Sequence, residues 1–371
     1  MKVNKRMFLF ALLFILPLVW QCKKEDASMA RKSVVRAPVD TVGFARYAWQ
    51  MDSLMKRIHR LQNKQLLNAI IQGKITPQSE FKVAVCPHDD YGYVGYLYPA
   101  VMEGIKAKTV IIFGVAHKAR LLNLEDQIIF DTYPAWHGIY GPIKVSDIRE
   151  EIIKALPKNV YQLNDSMQTI EHSVEALLPF LQYYRRDREF VSILVPYMSF
   201  ERMQKIAKPL ARAIAKVMKS RNWQWGKDLA LLISTDAVHY GDKDWGGKNF
   251  AYYGTDSAGY QKAVQHEMEV INSCLNGPLQ EEKIRRFTEF TVQPDDFRKY
   301  KWTWCGRYSV PMGLETAYWL AHEFKQDLQG RLIGYATSID HTPLPVEDLR
   351  MGFTAPAHVR HWVGYAALGW E

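Results

Sequence analysis

The chain has 371 residues, of which 48% are hydrophobic and 23% are charged. This balance is typical of a globular protein with a sizeable core, and it excludes a chain that is disordered throughout. The net charge is +9, but basic and acidic residues are mixed, as in RRDRE at 185–189, so we expect no nucleic-acid partner, which would need a concentrated basic stripe.

The N-terminus has the pattern of an export signal. Lys2, Lys5 and Arg6 form a basic start, and residues 7–19 are apolar and carry no charge. This apolar run suits a secretory signal peptide and is too short for a membrane-spanning helix. We therefore expect the body of the protein to be exported.

The apolar run leads into LVWQC at residues 18–22, which resembles a bacterial lipoprotein cleavage site. We expect residues 1–21 to be removed and Cys22 to become the lipidated first residue, which would anchor the protein to a membrane, in the periplasm or at the cell surface. Residues 22–44 would then be a tether, and residues 45–371 one folded domain. An uncleaved N-terminal anchor is the alternative.

Apolar patterns in the rest of the chain predict helices alternating with strands. A helical stretch over 43–75 comes first, followed by two strands that end at His88 and His117 and by strands at 190–197, 229–234 and 331–338. Helices are predicted near 94–107, 147–156, 173–184, 200–218, 258–275 and 310–322. This order predicts an α/β fold of three layers, α/β/α, with a mainly parallel central sheet.

Two of these strands, FKVAVCPH at 81–88 and TVIIFGVAH at 109–117, each end on a histidine. Because ligands collect beyond the carboxyl ends of strands in open α/β sheets, His88 and His117 are candidate metal ligands. The alternative is structural: a histidine after a strand, or, for His117, a loop histidine on the surface.

Carboxylates follow the first of these histidines. Asp89 or Asp90 could orient the ring of His88 by accepting the proton of the nitrogen that does not bind the metal.

The segment STDAVHYG at 234–241 places a carboxylate and an imidazole three residues apart. If a helix begins there, Asp236 could hold His239 in one tautomer, and His239 could act as a general acid or base. Alternatively, Asp236 caps the helix and His239 packs in the core.

Three cysteines follow Cys22, so at least one thiol is unpaired. Cys305 precedes a predicted helix and lies close to Arg307, a setting that favours the metal-binding thiolate. It could instead be a nucleophile paired with His239, form a disulfide with Cys86, or be an inert buried thiol.

The segment EHSVE at 171–175 begins another predicted helix. Its polar residues suit a helix start. His172 either faces the candidate site from there or caps the helix.

In chain order, these segments resemble the Memo family, whose bacterial and archaeal members are called AmmeMemoRadiSam system protein B. The resemblance extends from about residue 83 to 368. It rests on PHxxY at 87–91, GxxH at 114–117, EHSxExxLPFL at 171–181, SxDxxHYG at 234–241, CGR at 305–307, YxTSxD at 335–340 and VGYAA at 363–367.

The resemblance implies a fold like that of the class III extradiol dioxygenases, the LigB type, which use non-haem Fe(II). It implies that His88, His117 and Cys305 bind the metal, with Asp236 and His239 as catalytic residues in the same pocket. Fe(II) is the expected cofactor, with copper or zinc as alternatives. The ligand would be an unidentified small molecule or peptide, since family members have also been regarded as peptide-binding adaptors.

This chain departs from the family pattern at two positions. Asp90 stands where a glycine is usual and could supply a fourth ligand, which would favour Fe(II). Lys118 stands where a second histidine is common and could bind an anionic substrate. Together with His172 and Arg307, these residues would complete the pocket. The lipoprotein leader is also unusual for a family that is commonly cytoplasmic.

The sequence therefore favours a lipid-anchored metalloprotein, a non-haem iron or copper redox protein with a dioxygenase-like site. One alternative is a metal- or peptide-binding module without turnover. Another is a zinc-dependent hydrolase, because two histidines and a cysteine with an open position suit Zn²⁺. Extradiol enzymes use a carboxylate as their third ligand, so Cys305 counts against the dioxygenase.

Overall fold

The computed structural model of the protein describes residues 34–371. The expected signal peptide, Cys22 and the first part of the expected tether lie outside these residues. Within the described part of the chain, no helix combines the length and the apolar character needed to cross a membrane.

In residues 34–371, twelve strands form a mixed sheet. They are β1 (Val83–Cys86), β2 (Thr109–Val115), β3 (Ile128–Phe130), β4 (Ala135–Trp136), β5 (Ile143–Val145), β6 (Tyr161–Leu163), β7 (Glu189–Val195), β8 (Leu229–Ser234), β9 (His239–Gly241), β10 (Gly277–Pro278), β11 (Gln329–Thr337) and β12 (His361–Trp370).

Eleven α-helices accompany these strands in the same described part of the chain. They are α1 (Ala48–Leu61), α2 (Asn63–Gln72), α3 (Tyr91–Val94), α4 (Leu97–Met102), α5 (Ile148–Ala155), α6 (Asp165–Ile170), α7 (Leu178–Tyr184), α8 (Phe200–Ser220), α9 (Ser257–Val270), α10 (Glu281–Thr291) and α11 (Ser309–Phe324).

The centre of the sheet is parallel, as predicted. The strand order is β10-β11-β12-β1-β8-β2-β7-β3-β6, and β1, β8, β2 and β7 all run in the same direction. The register pairs Cys86 with Ser234 and Val115 with Val195. The carboxyl ends of the four central strands therefore meet at one edge of the sheet.

Both faces of these central strands are covered, which explains their continuous apolar sequences. Alternate residues belong to two different cores: Val83 and Val85 pack with the layer that contains α8 and α11, whereas Ala84 and Cys86 pack with the layer that contains α1, α2 and α4. The three-layer α/β/α fold is thereby confirmed.

The structure differs from the predicted elements in several places, of which three bear on the site. The helix expected over 94–107 is two short helices, α3 and α4. The helix expected from residue 173 begins only at Leu178, where Pro179 suits the first turn because it has no N–H to leave unpaired. The segment after Ser234 is a short irregular stretch followed by the strand β9, which pairs with β12, and it is not a helix.

Part of the segment that we assigned to the tether belongs to the folded domain. Arg36 is 2% exposed and its guanidinium pairs with the Glu175 carboxylate and donates to the Glu171 carbonyl. Phe44 is also buried, with its ring centroid 5.2 Å from that of Tyr91. Ordered packing thus begins before residue 45.

Candidate metal centre

The edge of the sheet brings four side chains from remote parts of the chain together. His88, His117 and Asp236 each follow a central strand by two residues, at β1, β2 and β8. Cys305 lies in the loop that precedes α11. One nitrogen of each histidine and the Cys305 sulfur lie within 4.8 Å of one another, so these three residues form a group that could hold a metal ion.

A serine fixes the tautomer of His88. The Ser234 hydroxyl donates to the Ser173 carbonyl at 2.6 Å and lies 2.8 Å from His88 Nδ1. A hydroxyl has one proton, so His88 must donate from Nδ1 and Nε2 keeps its lone pair in the neutral ring. Nε2 lies 3.5 Å from the Cys305 sulfur. His88 is therefore oriented as a metal ligand is.

A carboxylate fixes His117 in the same way. Glu171 lies 2.9 Å from His117 Nδ1, and it also accepts the backbone N–H groups of His117, His172 and Ser173. Burial alone would raise the pKa of Glu171, but the neighbouring histidines and these hydrogen bonds lower it to about 2. The carboxylate is thus ionised and leaves His117 Nε2 free to coordinate.

Close backbone approach positions the Cys305 sulfur. The sulfur accepts the Asp236 N–H at 3.1 Å. A Cβ atom on Gly306 would lie 2.1 Å from the Thr235 hydroxyl, so only glycine lets this loop come so near to the end of β8.

The protonation of Cys305 differs from our expectation. Burial, and then the charge of Asp236, raise the pKa of the Cys305 thiol well above its usual value. The surroundings of Cys305 therefore favour the neutral thiol over the thiolate.

Asp236 and His239 both lie at the centre, but they do not form the predicted pair. Asp236 Oδ1 accepts the His88 N–H at 3.0 Å, and burial raises the pKa of Asp236 to about 7. His239 Nε2 is buried and has no hydrogen-bond partner among the described residues. Oxygen, nitrogen and sulfur atoms of Asp236, His239 and Cys305 nevertheless lie within 4.8 Å of one another.

A sequence model of the Memo-like protein family matches residues 54–346. The chain belongs to the Memo family. It is 30% identical to a MEMO1 family protein of Thermococcus kodakarensis over 263 residues, which cover 69% of this chain and 80% of that protein. A MEMO1 family protein of Pyrococcus abyssi is 25% identical to this chain, and the match covers 69% of this chain and 80% of that protein. One of Pyrococcus horikoshii is also 25% identical to this chain, with 73% of this chain and 84% of that protein covered.

In this Memo protein, His172 faces the histidine cluster. Its ring stacks on that of His117, with centroids 4.8 Å apart and planes 8° apart, and lies 5.6 Å from that of His88. Burial, and then the charge of His117, lower the pKa of His172 to about 4. Of the two roles that the sequence left open, the structure thus places His172 at the site.

The structure does not place Asp90 as the fourth metal ligand that we considered. Its carboxylate accepts hydrogen bonds from the backbone and the hydroxyl of Thr354. In the described part of the chain it belongs to none of the groups that could hold a metal. Asp236 is the carboxylate that joins Cys305 there, and the neighbouring Asp89 accepts the Tyr365 hydroxyl at 2.6 Å.

The other expected pocket residues lie around the ligands. Lys118 is exposed. Arg307 is buried and lines a small cavity together with His117 and Cys305. Cys86, Cys274 and Cys305 are all free, so the Cys86–Cys305 disulfide that we considered is wrong.

A buried carboxylate that the sequence analysis missed supports both loops of the site. Glu267 in α9 accepts the Val238 N–H and the indole N–H groups of Trp302 and Trp304. Val238 precedes His239, and Trp304 precedes Cys305. No local motif marks Glu267, because its partners come from distant segments.

Proposed function

We propose that this Memo protein is a metal-dependent redox protein that binds Fe(II), or copper, at His88, His117 and Cys305. The observation that carries the proposal is the convergence of two imidazole nitrogens and one sulfur within 4.8 Å. Hydrogen bonds to Ser234 and Glu171 leave the outer nitrogen of both rings with its lone pair.

The donor atoms have spacings that suit a metal ion. Ligands at about 2.0–2.3 Å from a tetrahedral ion lie about 3.5 Å apart. The Cys305 sulfur lies 3.5 Å from His88 Nε2, and Asp236 Oδ2 also lies 3.5 Å from that nitrogen. Because metal binding favours the deprotonated thiol, a cation there would offset the high pKa of Cys305.

The donor set suits more than one metal. Two histidines and a carboxylate are the usual ligands of non-haem Fe(II), and Asp236 could supply that carboxylate. The Cys305 sulfur suits copper or zinc better. A bound iron or copper ion would supply one-electron chemistry and open coordination positions.

Burial lowers the pKa of His239 to about 3, so its ring is neutral and is available to accept a proton beside these positions. Its Nε2 is buried and unpartnered in the described part of the chain, and one of its ring nitrogens lies within 4.8 Å of ligand atoms of Asp236 and Cys305. The Thr303 carbonyl accepts the His239 backbone N–H, and the Thr303 hydroxyl donates to the His239 carbonyl, so the backbone around the ring is fixed. A substrate hydroxyl is the group from which this imidazole would accept a proton.

Metal analysis of protein purified without oxygen tests the proposal. We expect one iron or copper per chain, lost in Cys305→Ala and His88→Ala and retained in Cys274→Ala, a control for loss of a buried thiol elsewhere. Oxygen uptake with catechols would support the dioxygenase-like site.

Two other outcomes would contradict the proposal. Stoichiometric zinc without oxygen uptake would favour the zinc-dependent hydrolase, which the thiol ligand makes the second candidate. Bound metal with no turnover of either substrate class would favour a metal- or peptide-binding module.

We further propose that the protein is exported and anchored by a lipid on Cys22. The support is the sequence pattern of residues 1–22, a basic start, an apolar run and a cysteine. Mass spectrometry of the mature N-terminus should detect a lipidated cysteine at position 22, and Cys22→Ser should release the protein from membranes. An unmodified N-terminus at Met1 in a soluble fraction would refute this.

A further inference from the structure

The guanidinium of Arg307 is buried in a cavity that two of the proposed metal ligands also line. The residue is 3% exposed, and no Asp or Glu among residues 34–371 forms an ion pair with it. Nη2 donates to the Arg298 carbonyl at 3.2 Å, and Nε is buried without a hydrogen-bond partner. Of the other buried arginines, Arg36 and Arg149 pair with carboxylates, whereas Arg188 donates to the backbone carbonyls of Leu181 and Ile105.

Tyrosine rings surround this guanidinium. Its carbon lies 3.4 Å from the ring centroid of Tyr300, 4.7 Å from that of Tyr308 and 5.6 Å from that of Tyr197. Aromatic faces attract a cation, but they do not satisfy N–H groups in the plane of the guanidinium. The polar neighbours of the guanidinium are therefore the Arg298 carbonyl and the Tyr308 hydroxyl, its Nε–H has no acceptor, and no carboxylate in the described part of the chain balances its charge.

The same cavity contains Arg307 and two of the proposed metal ligands. It has a volume of about 50 Å³ and is lined by His117, Cys305, Arg307 and the three tyrosines, among other residues. Since one water molecule needs about 10–15 Å³ of such space, a planar group of a few atoms fits beside the guanidinium. A larger ligand would have to extend out of the cavity.

Positive charge continues outside the cavity. Arg120 and Arg307 share two neighbours. The Arg120 guanidinium lies 4.7 Å from the centroid of the Tyr197 ring, and it donates to the same Arg298 carbonyl as Arg307 does. Arg120 and Lys118 are both exposed. Such an arrangement attracts anions toward the buried charge.

We propose that Arg307 binds a carboxylate group of the ligand and thereby holds that ligand beside the metal. The assignment rests on the proposed metal function, since the cavity is shared with His117 and Cys305. A carboxylate matches the flat guanidinium edge with two parallel hydrogen bonds and balances its single charge. A phosphate monoester is bulkier than a carboxylate and carries up to two negative charges, whereas Arg307 carries a single positive charge.

Calorimetric titration of the mature protein with benzoate, benzamide and phenyl phosphate tests this inference. Benzamide has the shape of benzoate without its charge. We expect benzoate to bind at least tenfold more tightly than benzamide, and more weakly as salt is added. Arg307→Gln should weaken benzoate binding by about tenfold to a hundredfold, as expected for loss of hydrogen bonds to a charged group.

Arg298→Gln is the matched control, because Arg298 lies in the same region but is exposed and paired with Glu125. It should keep most of the benzoate affinity. Metal content, measured on the same samples, separates the two proposals: Arg307→Gln should retain the metal and lose only the carboxylate.

Three results would overturn the inference. They are equal binding of benzoate and benzamide by the unaltered protein, benzoate binding that is unchanged in Arg307→Gln, and tighter binding of phenyl phosphate than of benzoate. If Arg307→Gln does not fold, Arg307→Lys keeps the charge, and the comparison of benzoate with benzamide on the unaltered protein still decides.

Discussion

Glu171 holds His117 at two points, with Oε1 2.9 Å from the ring nitrogen Nδ1 and Oε2 2.7 Å from the backbone nitrogen. One carboxylate thus fixes both the tautomer of the ring and the position of the chain that carries it. The same carboxylate accepts the next two N–H groups of its own turn. The proposed ligand His117 and the turn after α6 are therefore a single hydrogen-bonded unit.

The variant Glu171→Gln should weaken metal binding by about tenfold to a hundredfold, the usual effect of removing a partner that orients a ligand. The amide has one acceptor oxygen, so either the ring or the backbone N–H of His117 would face an NH₂ group. Competition with a metal-binding dye would measure the affinity. The exposed Glu125→Gln is the control, and equal affinities for both variants would contradict this role.

Ser234→Ala should have a comparable effect through His88. Without the hydroxyl, Nδ1–H loses its acceptor and the ring can adopt the other tautomer, which places a proton on the nitrogen that faces Cys305. The control is Ser192→Ala, another buried serine in the sheet, whose hydroxyl donates to Gln168. Unchanged metal affinity in Ser234→Ala would refute the tautomer assignment.

Glu267→Leu should destabilise the protein and also reduce its metal affinity. The substitution leaves several buried N–H donors without an acceptor, at a cost of about 1–3 kcal/mol for each group. Two of these donors are the indoles of Trp302 and Trp304, next to Cys305. Urea unfolding and metal titration would measure both effects. Glu269→Leu in the same helix, where the side chain is 63% exposed, should change neither.

The free energy of unfolding should depend on pH through Glu315, which lies away from the metal centre in α11. Burial, and then the charge of Glu281, raise the pKa of Glu315 to about 7 from 4.5, against the opposing effects of Trp319 and of the charge of Arg285. The folded state therefore binds more protons than the unfolded state between these values, so stability falls as the pH rises from about 4.5 to 7.

The variant Glu315→Gln should reduce this dependence, by an amount on the order of 2–3 kcal/mol between pH 5 and pH 8. Urea denaturation at the two pH values would measure it. Glu323→Gln, in the same helix but partly exposed, should leave the pH dependence as it is. A profile for Glu315→Gln that follows the unaltered protein would show that other groups cause the dependence.

The sequence predicted the parts of this molecule that local patterns encode. The continuous apolar runs of β1, β2 and β8 identified buried parallel strands, and the strand ends at His88 and His117 identified where the chemistry would lie. The resemblance to the Memo family added Cys305, whose own surroundings left its role open. The family was confirmed by the comparison, and the structure brings these three residues together.

Other features depend on contacts that no local pattern encodes. Glu171 and Ser234 orient the ligands through partners 54 to 146 positions away along the chain. The Asp236–His239 pair that we considered requires a helix to begin at 234–241, and none does, because residues 239–241 pair with β12, a strand that we did not assign. The CGR motif at 305–307 identified Arg307 as a pocket residue, but its lack of an acidic partner among the described residues is visible only in the folded chain.

The N-terminal packing of Arg36 and Phe44 has a practical consequence for choosing the limits of a recombinant fragment. A fragment that starts at residue 54, where the family match begins, would omit both side chains. Glu175 would lose its cation, the Glu171 carbonyl would lose a donor, and the rings of Tyr91 and His172 would lose a neighbour. Poor metal retention by such a shortened fragment would then result from the loss of these N-terminal contacts, and it would not describe the intact protein.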